Sequence, residues 1–263
     1  MSTATAADRA RQGTVTLSYL LCLVGSVIGV GAFGGTPIAE AAGGALDADA
    51  THLAPASAAF SVWSLIYLGL AAYTLWQWAP AHSAASRQRR IGWWVAASML
   101  LNAAWILVVQ AGSISASVVA IAALLVVLAR IFAVLVRTRP SGAIEAVVVD
   151  GTLGLYLGWV CVATCANVAA ALAAAGFTGG PLSPEVWAAV VLVAVAALGV
   201  ALAVIGGGRL AVTATLTWGL AWIAVGRTAG LVSPSTTAVA SAAAAVVVAV
   251  TALARWRRMR APT

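Results

Sequence analysis

The sequence predicts an all-α fold, a polytopic bundle of about eight membrane-spanning helices. Hydrophobic residues make up 63% of the 263 residues and charged residues only 8%. Several apolar runs exceed the roughly 20 residues that cross a bilayer. Because lipid offers no partner to backbone N–H and C=O groups, only helices or closed barrels can span it. The long Ala, Val and Leu runs lack the alternation of a barrel strand and therefore predict helices.

Eight segments are long and apolar enough to be spans. They cover residues 14–33, 57–79, 91–111, 114–137, 145–174, 185–205, 209–227 and 236–254. The predicted organisation is a cytoplasmic N-terminal tail (1–13), a five-helix core (14–175), a three-helix extension (176–254) and a basic cytoplasmic tail (255–263). The apolar stretch of the first span is longer than the 7–15 residues of a signal-peptide core, so we expect it to be retained.

The basic residues indicate how the spans are oriented. If the N-terminus is cytoplasmic, twelve of the fourteen basic residues lie on inner segments, and Arg227 is the one that lies in an outer loop. The positive-inside rule thus places both termini in the cytoplasm. The net charge of +7 reflects this topology. Because the arginines are scattered over short loops, we expect no nucleic acid partner.

Several motifs that would indicate an enzyme are missing or lie in the wrong context. The three cysteines all fall inside predicted helices and form no disulfide framework. The letters of a dinucleotide fingerprint at residues 29–34 close an apolar helix, whereas that motif follows a strand. No cluster of His, Cys, Asp or Glu has metal-ligand spacing, and no nucleophile can be paired with a base. We therefore expect no enzymatic activity and no metal.

Aromatic and polar side chains form a stripe on each of three helices. At 100° per residue, these side chains share one face of span two, span three or span five. They are Trp63 and Tyr67, Asn102 and Trp105, and Tyr156, Trp159 and Asn167. Trp63 and Trp105 each lie about 9 Å below the outer end of their span. The stripes can thus converge beneath residues 34–56.

Tryptophan is also common at membrane interfaces, which gives a second interpretation. The interfacial interpretation suits the tryptophans near helix ends. Trp63, Trp105 and Trp159 each have a polar neighbour on the same face, which favours a ligand pocket.

Three motifs in these spans resemble one known family. Phe60-x-x-Trp63-x-x-x-Tyr67 resembles the F-x-x-W-x-x-x-Y segment of the TspO/MBR family, the tryptophan-rich sensory proteins related to the translocator protein and the peripheral benzodiazepine receptor. Leu101-Asn102-x-x-Trp105 is similar to its L-N-x-x-W segment, and residues 156–167 are similar to its Y-L-x-W-V-x-x-A-T-x-x-N segment. The resemblance covers roughly residues 14–175, and the last three spans look like the extension of longer members.

The resemblance implies a ligand pocket that is enclosed by five helices and lidded by the first loop. The implied ligands are porphyrins such as protoporphyrin and haem, and in some members sterols, synthetic ligands or another hydrophobic molecule, with no cofactor required. The implied ligand-binding residues are Trp63, Tyr67, Asn102, Trp105, Tyr156, Trp159 and Asn167. The chain departs from the family pattern at two places, so the resemblance does not determine the lid or its ligand. Residues 34–56 lack the W-Y-x-x-L-x-K-P-x-W-x-P-P run of short members, and Leu155 stands where many have proline.

Two charged residues lie inside predicted spans. Arg130 of span four and Asp150 of span five have opposite charges at matching depths of about 8–11 Å from the inner surface. We expect them to form a structural ion pair between the two helices. A proton or ion relay is the functional alternative for such residues.

Together, these features predict a membrane ligand-binding protein, a TspO-like tetrapyrrole sensor or carrier of the bacterial plasma membrane. Its expected partners are membrane lipids and a hydrophobic small molecule. The sequence leaves open whether the protein forms a homodimer. One alternative is a secondary transporter of a small amphiphile, although the sequence shows no clear inverted repeat. A second alternative, porphyrin degradation, has no independent support in the chain.

Overall fold

The structure is a computed structural model, and it describes residues 4–207, 209–229 and 235–260. Within these ranges the chain is helical without strands, and eight helices are long and apolar enough to cross a membrane. They are α1 (Ala6–Gly29), α2 (Val62–Trp76), α3 (Ser86–Gln110), α4 (Ile114–Arg137), α5 (Ala143–Ala174), α6 (Pro184–Ile205), α7 (Leu210–Ala229) and α8 (Ser235–Arg260). The all-α, eight-span prediction is confirmed.

Both chain ends are more helical than the predicted tails. The helix α1 begins at Ala6, well before the predicted start at residue 14, because Thr5 and Asp8 form a capping box. The Asp8 amide donates to Thr5 Oγ1 at 3.3 Å, and the Thr5 amide donates to the Asp8 carboxylate at 3.0 Å. Likewise, α8 continues to Arg260. Residues 1–3 and 261–263 of the predicted tails lie outside the described residues.

The helices pack in an order that differs from their order in the chain. The helix α3 packs between α1 and α4, and α5 packs between α4 and α7. On the far side, α8 packs against both α6 and α7, whereas the consecutive helices α5 and α6 barely meet. The extension is therefore joined to the five-helix core mainly through α7.

Glycines let α5 and α7 approach closely. A side-chain carbon added at Gly158 would overlap the Val212 carbonyl oxygen and the Thr215 hydroxyl on α7. At the same level, the Thr215 hydroxyl donates to the Leu155 carbonyl at 2.7 Å. Small residues commonly allow such backbone approach between membrane helices, where burial of apolar surface drives little association.

Residues 34–56, which connect α1 to α2, cover one end of the bundle, and we call this segment the lid. We call the opposite end, where α1 begins, the base. At the base, Arg87 of α3 donates to Glu145 at 3.1 Å and to Asp150 at 2.7 Å. Arg209 donates to Asp150 at 3.2 Å. Two guanidinium groups thus balance two carboxylates, and all but Arg209 are more than 90% buried.

The prediction that Arg130 pairs with Asp150 is wrong, because Asp150 has other basic partners. Asp150 pairs with Arg87 and Arg209, while the Arg130 side chain is exposed on α4. The reason is helical rotation, because Arg130 lies about 200° around α4 from the buried Leu128. A π-helical turn at Ala146–Gly151 lies at the start of α5, and Asp150 is one of its buried residues.

Replacing Arg87 by Gln is expected to lower the free energy of unfolding by about 3–5 kcal/mol, because it leaves two buried carboxylates with one guanidinium. Thermal unfolding of the purified protein in detergent measures the loss. The matched control is Arg130→Gln, which we expect to change stability by no more than about 0.5 kcal/mol. Equal losses in both variants would contradict the observed pairing.

Candidate functional site

Four aromatic rings from α2 and α5 pack together below the lid. The Trp63 ring stacks on Tyr67, with ring centroids 5.4 Å apart. The same ring meets Tyr156 and Trp159 edge-on, at 5.8 and 6.3 Å. Phe60, in the turn before α2, contacts Trp159 edge-on at 5.7 Å. Offset and edge-to-face contacts of this kind stabilise aromatic pairs.

Asn102 connects this aromatic group to α1 and α3. Its amide nitrogen donates to the Tyr67 hydroxyl at 2.9 Å and lies 3.3 Å from the Cys22 sulfur. Its carbonyl oxygen is buried and has no hydrogen-bond partner in the described part of the chain. The side chain is fully buried, so it presents an unused acceptor inside the bundle.

Trp105 and Asn167 form a second polar link, which joins α3 to α5. The Trp105 indole N–H donates to the Asn167 carbonyl oxygen at 2.7 Å. The Asn167 amide then donates to the Ser117 hydroxyl of α4 at 2.8 Å, and that hydroxyl donates to the Ile114 carbonyl. The Trp and Asn residues that share a helix in the sequence thus find their partners on other helices.

Trp159 differs from Trp105 in the hydrogen bonding of its indole N–H. Its side chain is 1% exposed, yet its indole N–H meets no acceptor among the residues that the structure describes. A buried tryptophan usually finds a partner for this group. Trp159 therefore presents an unused donor to the same interior that holds the unused acceptor of Asn102.

These side chains surround a cavity of about 40 Å³. Predicted residues that line it are Trp63, Asn102, Trp105, Trp159 and Asn167, and the lid contributes Ala45, Leu46, Thr51, Ala54 and Pro55. The volume suffices for a few water molecules, since one needs about 10–15 Å³, but ligand pockets usually measure about 300–1,000 Å³. In this conformation the lid closes the site.

The lid is held from both sides. At its beginning, the Thr36 amide donates to the Gln110 side chain at 3.0 Å, and the Gln110 amide donates to the Thr36 carbonyl at 2.6 Å. At its end, Arg227 of α7 donates to the carbonyl oxygens of Ala48, Thr51 and Ala54. Arg227 is fully buried, so its guanidinium depends on these carbonyls and on Asp49, 4.0 Å away.

A family model described as TSPO-like protein matches residues 15–254. The chain belongs to the TSPO-like family. No curated protein and no solved structure matches it. The match extends beyond the core that carries the sequence motifs and covers α6, α7 and most of α8. The TSPO-like family and the eight apolar helices make this chain a multi-pass membrane protein with a general ligand-binding character.

The structure of this TSPO-like chain brings all seven predicted site residues into one region. Tyr67 and Tyr156 do not line the cavity themselves, but both contact Trp63. Their role in ligand binding stays a prediction. The sequence did not assign a site role to Phe60, Ser117 or Arg227. For Arg227, the available signal was its isolation as the one basic residue in a predicted outer loop.

The Trp105–Asn167 bond can be measured with a double-mutant cycle of Trp105→Phe and Asn167→Ala. Hydrogen bonds between membrane helices average about 0.6 kcal/mol and reach about 1.7 kcal/mol, so we expect a coupling energy in that range from unfolding in detergent. A parallel cycle with Trp94→Phe is the control, because Trp94 is 42% exposed. Coupling of the same size in both cycles would rule out a specific bond.

Proposed function

We propose that this protein binds a tetrapyrrole, a porphyrin or haem, between α2, α3, α5 and the lid. As a sensor or carrier, it would act in the bacterial plasma membrane without a catalytic step. The observation that carries the proposal is the pair of unused polar groups inside an aromatic cavity. Asn102 offers an acceptor and Trp159 offers a donor, and both line the same space.

A free-base porphyrin has chemical groups that match both. Its pyrrole N–H groups can donate to an amide oxygen such as that of Asn102, and its carboxylates can accept from an indole N–H such as that of Trp159. Its flat aromatic face can pack against Trp63 and Phe60. A small apolar ligand without polar groups would leave both protein groups unsatisfied, which disfavours it.

Binding requires the lid to move, because a cavity of about 40 Å³ is far too small for a tetrapyrrole. The two ends of the lid are anchored differently. The Thr36–Gln110 bonds are exposed, whereas the Arg227 bonds are buried or partly buried. We infer that withdrawal begins near Thr36 and that the cost of opening lowers the apparent affinity of the closed protein.

Replacing Trp159 by Phe removes the indole donor and keeps an aromatic ring. We expect the apparent Kd for protoporphyrin to rise about tenfold, which corresponds to one lost hydrogen bond. The measurement is a titration of the detergent-purified protein, followed by the shift of the porphyrin's Soret band. The control is Trp93→Phe, since Trp93 is 50% exposed. If wild-type protein shows no saturable shift, or if W159F binds as tightly, the proposed site is wrong.

Replacing Arg227 by Gln weakens the buried anchor of the lid. We expect protoporphyrin to associate about tenfold faster if opening becomes easier by about 1.4 kcal/mol. Stopped-flow absorbance after mixing gives the rate. Arg257→Gln is the control, because Arg257 is exposed on α8 far from the lid. An unchanged association rate in R227Q would show that lid opening does not limit binding.

A further inference from the structure

A second and larger cavity, of about 610 Å³, lies between α5 and α6 at the lid end of the bundle. Its walls include Val168 and Leu172 of α5 and Trp187 and Val191 of α6. The lid closes one side of it with residues 50–53. We call this space the lateral cleft. It lies within the size range of small-molecule sites, unlike the central cavity.

The cleft exists because two consecutive helices diverge. The helix α6 packs against α8 and hardly touches α5, although only a short connection separates them. Within that connection, the Gly179 carbonyl accepts a hydrogen bond from the Trp187 indole N–H at 2.8 Å, and Phe177 meets the Trp187 ring edge-on at 6.3 Å. These contacts fix Trp187 at the cleft and hold its wall in place.

The cleft is open to the outer surface of the helix bundle, because several of its lining side chains are exposed. Leu172 is 45% exposed and Trp187 is 39% exposed. The lining of α5 runs from Thr164 to Ala173, which corresponds to about 14 Å at 1.5 Å per residue. This apolar, elongated shape suits an acyl chain. Because the surrounding hydrocarbon is equally apolar, the fit of the chain and the hydrogen bonds of its head decide binding.

Two unused polar atoms stand at the lid end of the cleft. The Thr51 hydroxyl and His52 Nδ1 are buried and have no hydrogen-bond partner in the described ranges. His52 Nε2 lies 3.7 Å from the Glu185 carboxylate, which favours the tautomer with its proton on Nε2 and leaves Nδ1 as an acceptor. Burial lowers the pKa of His52, and the effect of Arg227 adds to this, while Glu185 opposes it.

The polar lining of the cleft contains no Lys, Arg, Asp or Glu side chain. It consists of His52, Thr51, Thr164, Cys165 and the Trp187 indole. The Arg227 guanidinium is directed at lid carbonyls, and Glu185 is not part of the lining. A carboxylate or phosphate head would meet no cation here. A hydroxyl can donate to His52 Nδ1 and exchange a hydrogen bond with Thr51.

We propose that the lateral cleft is a second binding site, which takes a neutral single-chain amphiphile with a hydroxyl head, of the monoacylglycerol class. The acyl chain lies along α5 and α6, and the head reaches Thr51 and His52. This site shares Thr51 of the lid with the central cavity, and its other lining residues differ from those of that cavity. Its selectivity is for an uncharged head over an anionic one.

The test uses the full chain in detergent and a monoacylglycerol with bromine atoms in mid-chain, which quench tryptophan fluorescence on contact. We expect saturable quenching that is largely lost in Trp187→Phe, because Trp187 lines the cleft. Competition with unbrominated monooleoylglycerol should restore the fluorescence, and oleic acid at neutral pH should compete at least tenfold less well. Linear quenching without saturation, or equal competition by oleic acid, would overturn the proposal.

Two variants separate the head contact from the chain contact. His52→Phe removes the acceptor and should weaken binding about tenfold, with His82→Phe as the matched control outside the cleft. Val168→Phe narrows the cleft without adding a tryptophan to the fluorescence signal, and it should abolish saturable quenching while the unfolding midpoint stays unchanged. If V168F still binds, the probe does not occupy the cleft. If excess phosphatidylglycerol displaces the probe as well as monooleoylglycerol does, the cleft is an unselective lipid contact.

Discussion

Hydrocarbon supplies no hydrogen bonds, and this constraint organises the whole structure. Polar side chains within the helices are therefore paired across helix boundaries, as in Trp105 with Asn167 and Asn102 with Tyr67. Where a buried polar atom has no partner, the cost of its burial marks a place where another molecule can supply one. Four such atoms belong to residues that line the two cavities at the lid end: Asn102 Oδ1, Trp159 Nε1, Thr51 Oγ1 and His52 Nδ1.

The two ends of the bundle satisfy this constraint in different ways. At the base, Arg87 and Arg209 balance two carboxylates, and breaking such a buried group is costly because the remaining charge stays unpaired. At the lid end, Arg227 binds mainly backbone carbonyls of a segment that lacks long helices. The lid is thus held by hydrogen bonds to its backbone carbonyls, whereas the base is held by paired charges.

Two helices of the extension contact the lid or line a cavity. The family match runs through them, and α7 carries Arg227, which fastens the lid. Trp218 of α7 adds a hydrogen bond to the Ala59 carbonyl, just before α2, and the Ala56 amide donates to the Trp222 carbonyl. The helix α6 forms the far wall of the lateral cleft. Helices of the predicted core and of the predicted extension therefore both contact the lid.

The sequence by itself determined the fold class, the eight spans and the faces of α2, α3 and α5 that carry Trp63, Asn102 and Trp159, because hydropathy and helical period are local properties. Only the tertiary structure decided which partner each polar group meets. Asp150 pairs with Arg87, 63 positions away, and Arg227 reaches Thr51 across 176 positions. Such choices depend on the rotation and packing order of helices that are distant in the chain. The closed volume of the central cavity and the lateral cleft follow from that same packing, which no local pattern encodes.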